Sequence, residues 1–481
     1  MESLQTFVQD YLDEHETFFT DTSKYIYAHP ETRFEEHESA SYLSEACEQA
    51  GFEVERGIAG IDTAFVATVG SGLPVIAFLG EFDALAGLGQ EPLATSYQPT
   101  KEHHGNGHGC GHNLLGTASF AAACAAKDYL LENNLEGTIQ FFGCPGEEGG
   151  SGKTFMVREG VFDHCDLAFC WHPSPTNSIM TLSSLSNYQV YFQFKGTSSH
   201  AAISPHLGRS ALDAVELMNS GVNYLREHVI PEARIHYAVT NTGGHSPNVV
   251  QADAEVLYLI RAPFVSQVDD IYKRICNIAE GAALMTETEV TIRFDKACSN
   301  YIPNVSLGQV LHNSLTEIGT EESTEEEKAF AKKIWESLRP DEQENYLGTS
   351  EGFGYEGDGS EFEGKYLSDV ISPYVPSDKT LMGSTDVADV SWVVPTAQLS
   401  TATSTLGTPL HTWQMTTQGI SSFAHKGMFR AAGAMALTAM KALEDDSIIK
   451  EAKEEFDAFR AKNNYVNPIP KDVQPSPLAM S

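Results

Sequence analysis

Residues 113–132 read NLLGTASFAAACAAKDYLLE, a run rich in alanine and leucine. This composition predicts a helix that packs closely on a β-sheet. Short apolar runs on both sides of it are typical of buried strands, and they are Thr63–Val69, Val75–Leu79, Thr138–Phe142 and Leu167–Cys170. Because strands and helices alternate in this way, we predict an α/β fold with a largely parallel or mixed sheet.

A second kind of domain is predicted after Ser186. Residues 187–296 contain elements in the order strand, helix, strand, strand, helix, strand. That order fits a compact ferredoxin-like α+β domain inserted into the α/β domain. We therefore predict that residues 1–186 and 297–481 form the α/β domain, with residues 187–296 as the insertion.

The charge of the chain limits its possible partners. Acidic residues outnumber basic residues by 66 to 30, which gives a formal net charge of −36. A nucleic acid or an anionic membrane surface would repel such a chain, so we exclude both as partners. No apolar run reaches the roughly 18 residues of a transmembrane helix, and the acidic start MESLQTFVQDYLDEHETFF lacks the features of a signal peptide. We expect a cytoplasmic protein.

A glycine-rich segment, HHGNGHGCGHN at 103–113, contains the strongest candidate metal ligands. Cys110 and His112 are two residues apart, and in extended backbone both side chains would point to one face. Thiolate and imidazole groups are good ligands for zinc and related divalent ions. A glycine-rich turn with incidental histidines is the alternative interpretation of this segment alone.

Further candidate ligands follow predicted strands. Glu147 and Glu148 lie in GCPGEEGG, His172 lies in Trp-His-Pro after a strand, and His411 lies in GTPLHT. Each alone also fits a surface turn or loop. Ligands in α/β sheets collect beyond the carboxyl ends of strands, so together these residues supply enough donors for two metal ions. One carboxylate of the glutamate pair can bind metal while the other acts as a general base.

Seven motifs are spread along the chain, and they are GEFDAL (80–85), GHGCGHN (107–113), PGEEGGSGKTF (145–155), WHP (171–173), HAAISPHLGRSALDA (200–214), GGHSPNVV (243–250) and GTPLHTW (407–413). In combination they resemble the dimetal aminoacylase/carboxypeptidase family. The resemblance is strongest to the amidohydrolase branch of that family, which has a cysteine ligand. It implies a dimetal-peptidase-like catalytic domain, a mixed sheet flanked by helices, with an inserted lid and dimerisation domain.

The resemblance also implies a role for each catalytic residue. Glu147 matches the general base of the family, and Asp83 matches the aspartate that orients the site. Two divalent ions per subunit, zinc or manganese, are implied, with Cys110 bridging them. The ligands implied by the resemblance are Cys110, His112, Glu148, His172 and His411.

The inserted domain resembles the lid of the family. Its histidine, here His200, is implied to reach the site of a partner subunit. Asn248 matches a lid residue that holds the scissile carbonyl, and Arg261 matches one that binds the substrate carboxylate. We therefore expect a homodimer or a heteromer with a homologous A subunit.

Two positions depart from the pattern of the family. Asn113 stands where many members of the branch have aspartate, which weakens any charged role of that residue. Glu81 stands where the wider family has a ligand histidine, and the sequence leaves open whether Glu81 contacts metal.

The predicted activity is hydrolysis of an amide bond by metal-activated water. Our hypothesis for the substrate is p-aminobenzoyl-glutamate, a folate breakdown product. A dipeptidase or another N-acyl amino acid hydrolase is the alternative within enzymes, and a weakly active subunit of a heteromeric hydrolase is a further one. Metal storage or sensing would leave Glu147 and the lid without a role.

Overall fold

The computed structural model describes residues 3–478. The chain forms two compact units. The first contains the chain up to Ser183 together with Tyr301–Leu381 and Asp386–Val466, and the second contains Ser184–Asn300, Met382–Thr385 and the segment from Asn467 onward. No helix in the described part of the chain is long and apolar enough to span a lipid bilayer.

The helices and strands are numbered in chain order. The α-helices of residues 3–478 are α1 (Leu4–Glu14), α2 (Glu16–Ala28), α3 (His37–Gln49), α4 (His112–Glu132), α5 (Glu147–Gly150), α6 (Gly152–Arg158), α7 (Ala211–Leu225), α8 (Val265–Thr286), α9 (Val305–Ile318), α10 (Glu325–Glu336), α11 (Pro340–Glu344), α12 (Gly348–Gly352), α13 (Val387–Ser391), α14 (Trp413–Gln418), α15 (Ser422–Glu444) and α16 (Asp446–Arg460). The strands are β1 (Glu53–Arg56), β2 (Phe65–Ser71), β3 (Val75–Glu81), β4 (Gly137–Cys144), β5 (Leu167–Ser174), β6 (Ser178–Ile179), β7 (Ser183–Ser184), β8 (Ser186–Lys195), β9 (Arg234–Asn241), β10 (Asp253–Ala262), β11 (Glu289–Cys298), β12 (Thr380–Leu381) and β13 (Thr396–Ala402).

A seven-stranded mixed sheet forms the centre of the first unit, in the order β1-β2-β4-β3-β5-β13-β6. The four strands β3, β4, β5 and β13 run parallel, whereas the pairings of β1 with β2, β2 with β4 and β6 with β13 are antiparallel. Every residue of β3 and β4 is buried, as expected for strands covered on both faces. The predicted mixed α/β sheet is confirmed.

Helix α4 fixes the position of the glycine-rich segment relative to the sheet. It is almost entirely buried and packs against β3 and against α15. A Cβ atom at Gly116 would lie 2.6 Å from the backbone oxygen of Glu81, so only glycine permits this approach. Since α4 begins at His112 and β3 ends at Glu81, the close packing sets the start of the helix beside the end of the strand.

The second unit contains a four-stranded antiparallel sheet in the order β11-β8-β10-β9, on which α7 and α8 pack. The chain order strand, helix, strand, strand, helix, strand is the predicted one and is that of a ferredoxin-like domain. Buried and half-buried residues alternate along β10, because helices cover one face of the sheet. The segment from Asn467 onward belongs to this unit, where the Ser476 hydroxyl lies 3.2 Å from Oδ1 of Asp295.

Candidate metal centre

The candidate ligands of the first unit lie at the carboxyl ends of its parallel strands. Asp83 follows β3, Glu147 and Glu148 follow β4, and His172 lies near the end of β5. His411 lies in the loop between β13 and α14. Parallel strands end at one edge of a sheet, so residues far apart in the sequence meet there.

Cys110, His112 and His172 form the first group of potential ligands. Their donor atoms all lie within 4.8 Å of one another, and Sγ of Cys110 is 3.4 Å from Nε2 of His172. The extended backbone expected here is wrong, because Gly111 between the two ligands has a left-handed φ of 77° and precedes α4. This tight turn, which favours glycine, brings Cys110 and His112 together.

Cys110 also belongs to a second group, with Glu148 and His411. Nε2 of His411 lies 3.0 Å from Oε1 of Glu148. The backbone N–H of His411 donates to the carbonyl of Gly109 at 2.9 Å, which ties the loop after β13 to the glycine-rich segment. A ligand that bridges two metal ions must belong to both sets of donor atoms, as the thiol of Cys110 does.

Asp83 connects the two groups. Its Oδ1 accepts a hydrogen bond from Nδ1 of His112 at 2.9 Å, and its Oδ2 accepts one from the backbone N–H of Glu148 at 2.7 Å. The bond at Nδ1 fixes the tautomer of His112 and directs its Nε2 towards the cluster. This Nε2 is buried and has no hydrogen-bond partner within residues 3–478, so the site fits a metal ion.

Glu147 lies beside the first group and belongs to neither group that contains Cys110. Its Oε2 is 4.0 Å from Nε2 of His112, and its side chain remains 15% exposed, so water has access to it. Burial raises the pKa of Glu147 well above the ordinary value, and the charges of Glu81 and Glu148 raise it further.

Glu81 contacts a buried lysine that the sequence analysis did not assign to the site. Its Oε1 is 2.7 Å from Nζ of Lys153, which lies 2.6 Å from Oδ1 of Asp386. Burial opposes ionisation of Glu81, but the Lys153 ammonium and the His112 imidazole outweigh this effect. The pKa of Glu81 is therefore lowered. Oε2 of Glu81 is 3.4 Å from Nε2 of His112, so this carboxylate forms part of the wall of the cluster. Because Lys153 lies inside the motif PGEEGGSGKTF, the sequence offered a signal that it belongs to the site. Asp386 lies in no motif, so the sequence offered no such signal for it.

Comparison with known proteins identifies the family of the chain. The model of peptidase family M20/M25/M40 matches residues 77–332. This chain belongs to that family. The match confirms the resemblance found in the motifs, and the chain is accordingly a hydrolase that acts on amide bonds.

Individual relatives extend over nearly the whole chain. The B subunit of p-aminobenzoyl-glutamate hydrolase from Escherichia coli K12 is 51% identical over 483 residues, which cover 99% of this chain and 100% of the relative. Xaa-Arg dipeptidase from Mus musculus is 28% identical over 92% of this chain and 90% of its own length. The solved structure of the aminobenzoyl-glutamate utilization protein from Klebsiella pneumoniae shares the fold, with a TM-score of 0.59 at 17% identity over 90% of this chain and 98% of that chain.

Asn113 has a structural role in the first unit. Its Nδ2 donates to the hydroxyl of Ser23 at 3.1 Å and to the carbonyl of Gly419 at 2.9 Å. The amide therefore ties the first turn of α4 to α2 and to the end of α14. Asn113, unlike an aspartate at this position, is uncharged and donates hydrogen bonds that connect these elements.

The three remaining predicted residues lie in the second unit. His200 is exposed, and its Nδ1 accepts from the backbone N–H groups of Ala202 and Ile203, both at 3.2 Å. Asn248 is exposed, and its backbone carbonyl accepts from Ala201 at 2.9 Å. Arg261 lies near the end of β10. Their roles stay predictions.

The electrostatics of the ligands lead to a prediction about proton release. Hydrogen bonds to Cys110 and Glu148 raise the pKa of His411 to about 11. Burial lowers the pKa of His112, but the Cys110 thiolate and Asp83 outweigh it and hold that pKa well above 6.5. For Cys110, burial and the Glu148 charge oppose ionisation, yet the neighbouring His172 and His112 lower its pKa to about 6.

We therefore predict that loading metal-free protein with Zn²⁺ at pH 8 releases protons from imidazoles and not from the thiol. His411 is protonated at that pH without metal and must lose its proton to bind it, whereas Cys110 is already a thiolate. Titration calorimetry in buffers of different ionisation enthalpy measures the number released. The variant His411→Ala should release about one proton fewer, and loading without proton release would contradict this electrostatic description.

Proposed function

We propose that this chain hydrolyses p-aminobenzoyl-glutamate to p-aminobenzoate and glutamate. The observation that carries the chemistry is the cluster in which Cys110 belongs to two ligand groups with Glu147 beside them. The choice of substrate is supported by the 51% identical relative from Escherichia coli, which is named for this compound.

The proposed ligand sets follow the two groups. Cys110, His112 and His172 hold one divalent ion, and Cys110, Glu148 and His411 hold the other. Thiolate, imidazole and carboxylate donors suit zinc or manganese. When bound, such a pair of ions polarises the scissile carbonyl and lowers the pKa of water.

Glu147 acts as the general base and then as the general acid. Its carboxylate takes a proton from the water that attacks the carbonyl carbon of the p-aminobenzoyl group. When the C–N bond breaks, the same side chain delivers that proton to the amine nitrogen of glutamate. Asp83 holds His112 and the backbone of Glu148 in place throughout, because it bonds both.

The second unit is proposed as the lid, within residues 187–296, and supplies contacts to the substrate. Asn248 binds the scissile carbonyl, and the guanidinium of Arg261 binds a glutamate carboxylate through two parallel hydrogen bonds. His200 stabilises the tetrahedral oxyanion. Because Nδ1 of His200 accepts two backbone hydrogen bonds, its ring proton is on the exposed side at Nε2, where it can be donated.

The partner that brings His200 to a site is proposed to be a second copy of this chain. β9 is an edge strand in which only Ile235 is buried, and Tyr237 and Val239 are each 40% exposed. Such an edge offers unpaired backbone donors and acceptors. Two antiparallel edges related by a two-fold axis are complementary to each other, and a homologous A subunit of the same fold is the alternative partner.

The first test is release of p-aminobenzoate by the purified, zinc- or manganese-loaded chain. We predict that Glu147→Gln lowers kcat by a factor of about 10²–10⁴, the usual contribution of a general base. The metal content should stay the same, because Glu147 belongs to neither proposed ligand set. Glu159→Gln, a change at a carboxylate whose side chain is 48% exposed, is the matched control and should be fully active. Near-normal turnover in Glu147→Gln would refute the assigned role.

A dipeptidase is the second candidate, because the chain is similar to Xaa-Arg dipeptidase from Mus musculus. The same assay with dipeptides that end in arginine separates the two activities. A higher kcat/KM for these dipeptides than for p-aminobenzoyl-glutamate would replace the proposed substrate.

With the proposed substrate, Arg261→Met should raise KM and leave kcat largely unchanged.

Mixing two weakly active variants tests the role of His200 across subunits. Glu147→Gln and His200→Ala should each be weakly active alone. In a mixed dimer, the site with intact Glu147 receives an intact His200 from its partner. After refolding or exchange of an equimolar mixture, activity should rise to about a quarter of the wild-type value, since about half of the dimers are mixed and each has one complete site. Activity equal to the average of the two variants would show that His200 acts within its own chain or not at all.

A further inference from the structure

The loop that carries Glu147 and Glu148 is in contact with the segment 31–36, which connects α2 to α3. Two charged residues of this segment, Arg33 and Glu36, are 2% and 0% exposed. Neither belongs to a group of potential metal ligands within residues 3–478. Charged side chains are almost never fully buried unless they have partners, so the groups that these two contact indicate what they do.

Glu36 holds the backbone directly before Glu147. Its Oε1 accepts a hydrogen bond from the backbone N–H of Gly146 at 2.8 Å. Its Oε2 accepts one from the hydroxyl of Thr63 at 3.0 Å, and this second bond fixes the orientation of the carboxyl group. A backbone N–H can only donate, so the position of Gly146 depends on the acceptor that Glu36 supplies.

Arg33 holds the backbone directly after Glu148. Nη1 of its guanidinium donates to the carbonyl oxygen of Gly149. Between these two contacts, the backbone N–H of Glu148 donates to Oδ2 of Asp83 at 2.7 Å. Three buried side chains therefore hold the backbone before, within and after the glutamate pair.

The ring of Phe34 supports the same loop by direct packing. A Cβ atom at Gly146 would lie 2.7 Å from Cε1 of Phe34, and one at Gly150 would lie 2.9 Å from Cε2, so the backbone lies against the ring at both places. Phe34 has a left-handed φ of 61°, which is unfavourable for a bulky residue. Such a conformation persists only where the surrounding structure imposes it, and it is typical of functional sites.

The segment 31–36 also contacts the loop that contains Asp83. The backbone N–H of Ala84 donates to the carbonyl of Glu31 at 2.7 Å. One short segment thus bonds both the residue after Asp83 and the residue before Glu147. It fixes the two loops relative to each other.

We propose that Glu36 and Arg33 are positioning residues that place the carboxylates of Glu147 and Glu148 at the metal centre. Both act through the backbone of the loop and touch neither metal nor substrate. A displacement of a reacting group by about 1 Å can lower a rate about a hundredfold, so small movements of this loop matter. This role rests on the proposed function, because it assumes the tasks assigned there to the two glutamates.

Competition between the zinc-loaded protein and a chelator tests the role of Glu36 without any substrate. Glu36→Leu removes the acceptor for the backbone before Glu147. It should weaken the zinc ion assigned to Cys110, Glu148 and His411 by about 10–100-fold and the other ion by less. Glu35→Leu, the same change at the neighbouring exposed glutamate, is the matched control and should bind both ions normally. Wild-type affinity for both ions in Glu36→Leu would refute the proposal.

Two milder variants separate the hydrogen bond from a general effect on folding. In Glu36→Gln the amide oxygen still accepts from Gly146 and the NH₂ group can donate to the Thr63 hydroxyl, so zinc affinity should return to within a few fold of the wild-type value. Equal loss in Glu36→Gln and Glu36→Leu would overturn the proposal. Thr63→Val removes only the hydroxyl that orients Glu36 and should weaken zinc binding a few fold. If Glu36→Leu does not fold, unchanged zinc affinity in Thr63→Val refutes the proposal.

Turnover of p-aminobenzoyl-glutamate at saturating zinc tests whether the two residues act through Glu147. Glu36→Leu and Arg33→Met should each lower kcat about 10–100-fold with little change in KM, and wild-type kcat in either would refute the role of that residue. Added to Glu147→Gln, Glu36→Leu should cause little further loss, because the base that it positions is already absent. A full further loss would contradict the proposal. An inactive wild-type chain would refute the proposed substrate alone, since the zinc titrations decide the role of Glu36 independently.

Discussion

One thiol, that of Cys110, has to face two sets of donors at once, and the first unit is built to make this possible. Gly111 turns the chain so that His112 starts α4 beside Cys110. The parallel strands then bring His172 and Glu148 to the same edge of the sheet, and the loop after β13 brings His411. A change in the packing of α4 on β3 would move Cys110 relative to every one of these donors.

The second constraint is the amount of buried charge around that thiol. Glu81 and Asp386 are buried and share the ammonium of Lys153, which is itself fully buried. Removing one partner from such a buried ion pair typically costs about 3–5 kcal/mol, because a charge is left uncompensated. Glu148 and the Cys110 thiolate have imidazoles as their neighbours, and divalent ions would replace the protons of those imidazoles. Before metal binds, Lys153 and protonated imidazoles therefore compensate the buried negative charge of the centre.

Local patterns in the sequence were sufficient to predict much of this arrangement. The alanine-rich run at 113–132 is α4, and the apolar runs beside it are β2, β3, β4 and β5. Cys110, His112, His172, His411 and the pair Glu147–Glu148 are predicted as candidates by their chemistry and their places in the sequence, and only the resemblance to the family selects Glu148 as the ligand. The structure brings the donor atoms of the five predicted ligands together in two groups. The motifs that surround them also gave the correct family.

Contacts between distant segments could not be predicted in the same way. Lys153 and Asp386 are 233 residues apart, and nothing near Asp386 in the sequence marks it as part of a charged network. The left-handed turn at Gly111 replaced the extended backbone that spacing alone suggested.

A crystal structure of the zinc-loaded protein with anomalous data at the zinc edge tests directly whether Cys110 bridges two ions. Two zinc peaks are expected about 3.5–4 Å apart, each with the sulfur of Cys110 at about 2.3 Å. His112 and His172 should complete one site, and Glu148 and His411 the other. A single zinc ion at full loading, or two ions of which only one contacts Cys110, would contradict the account.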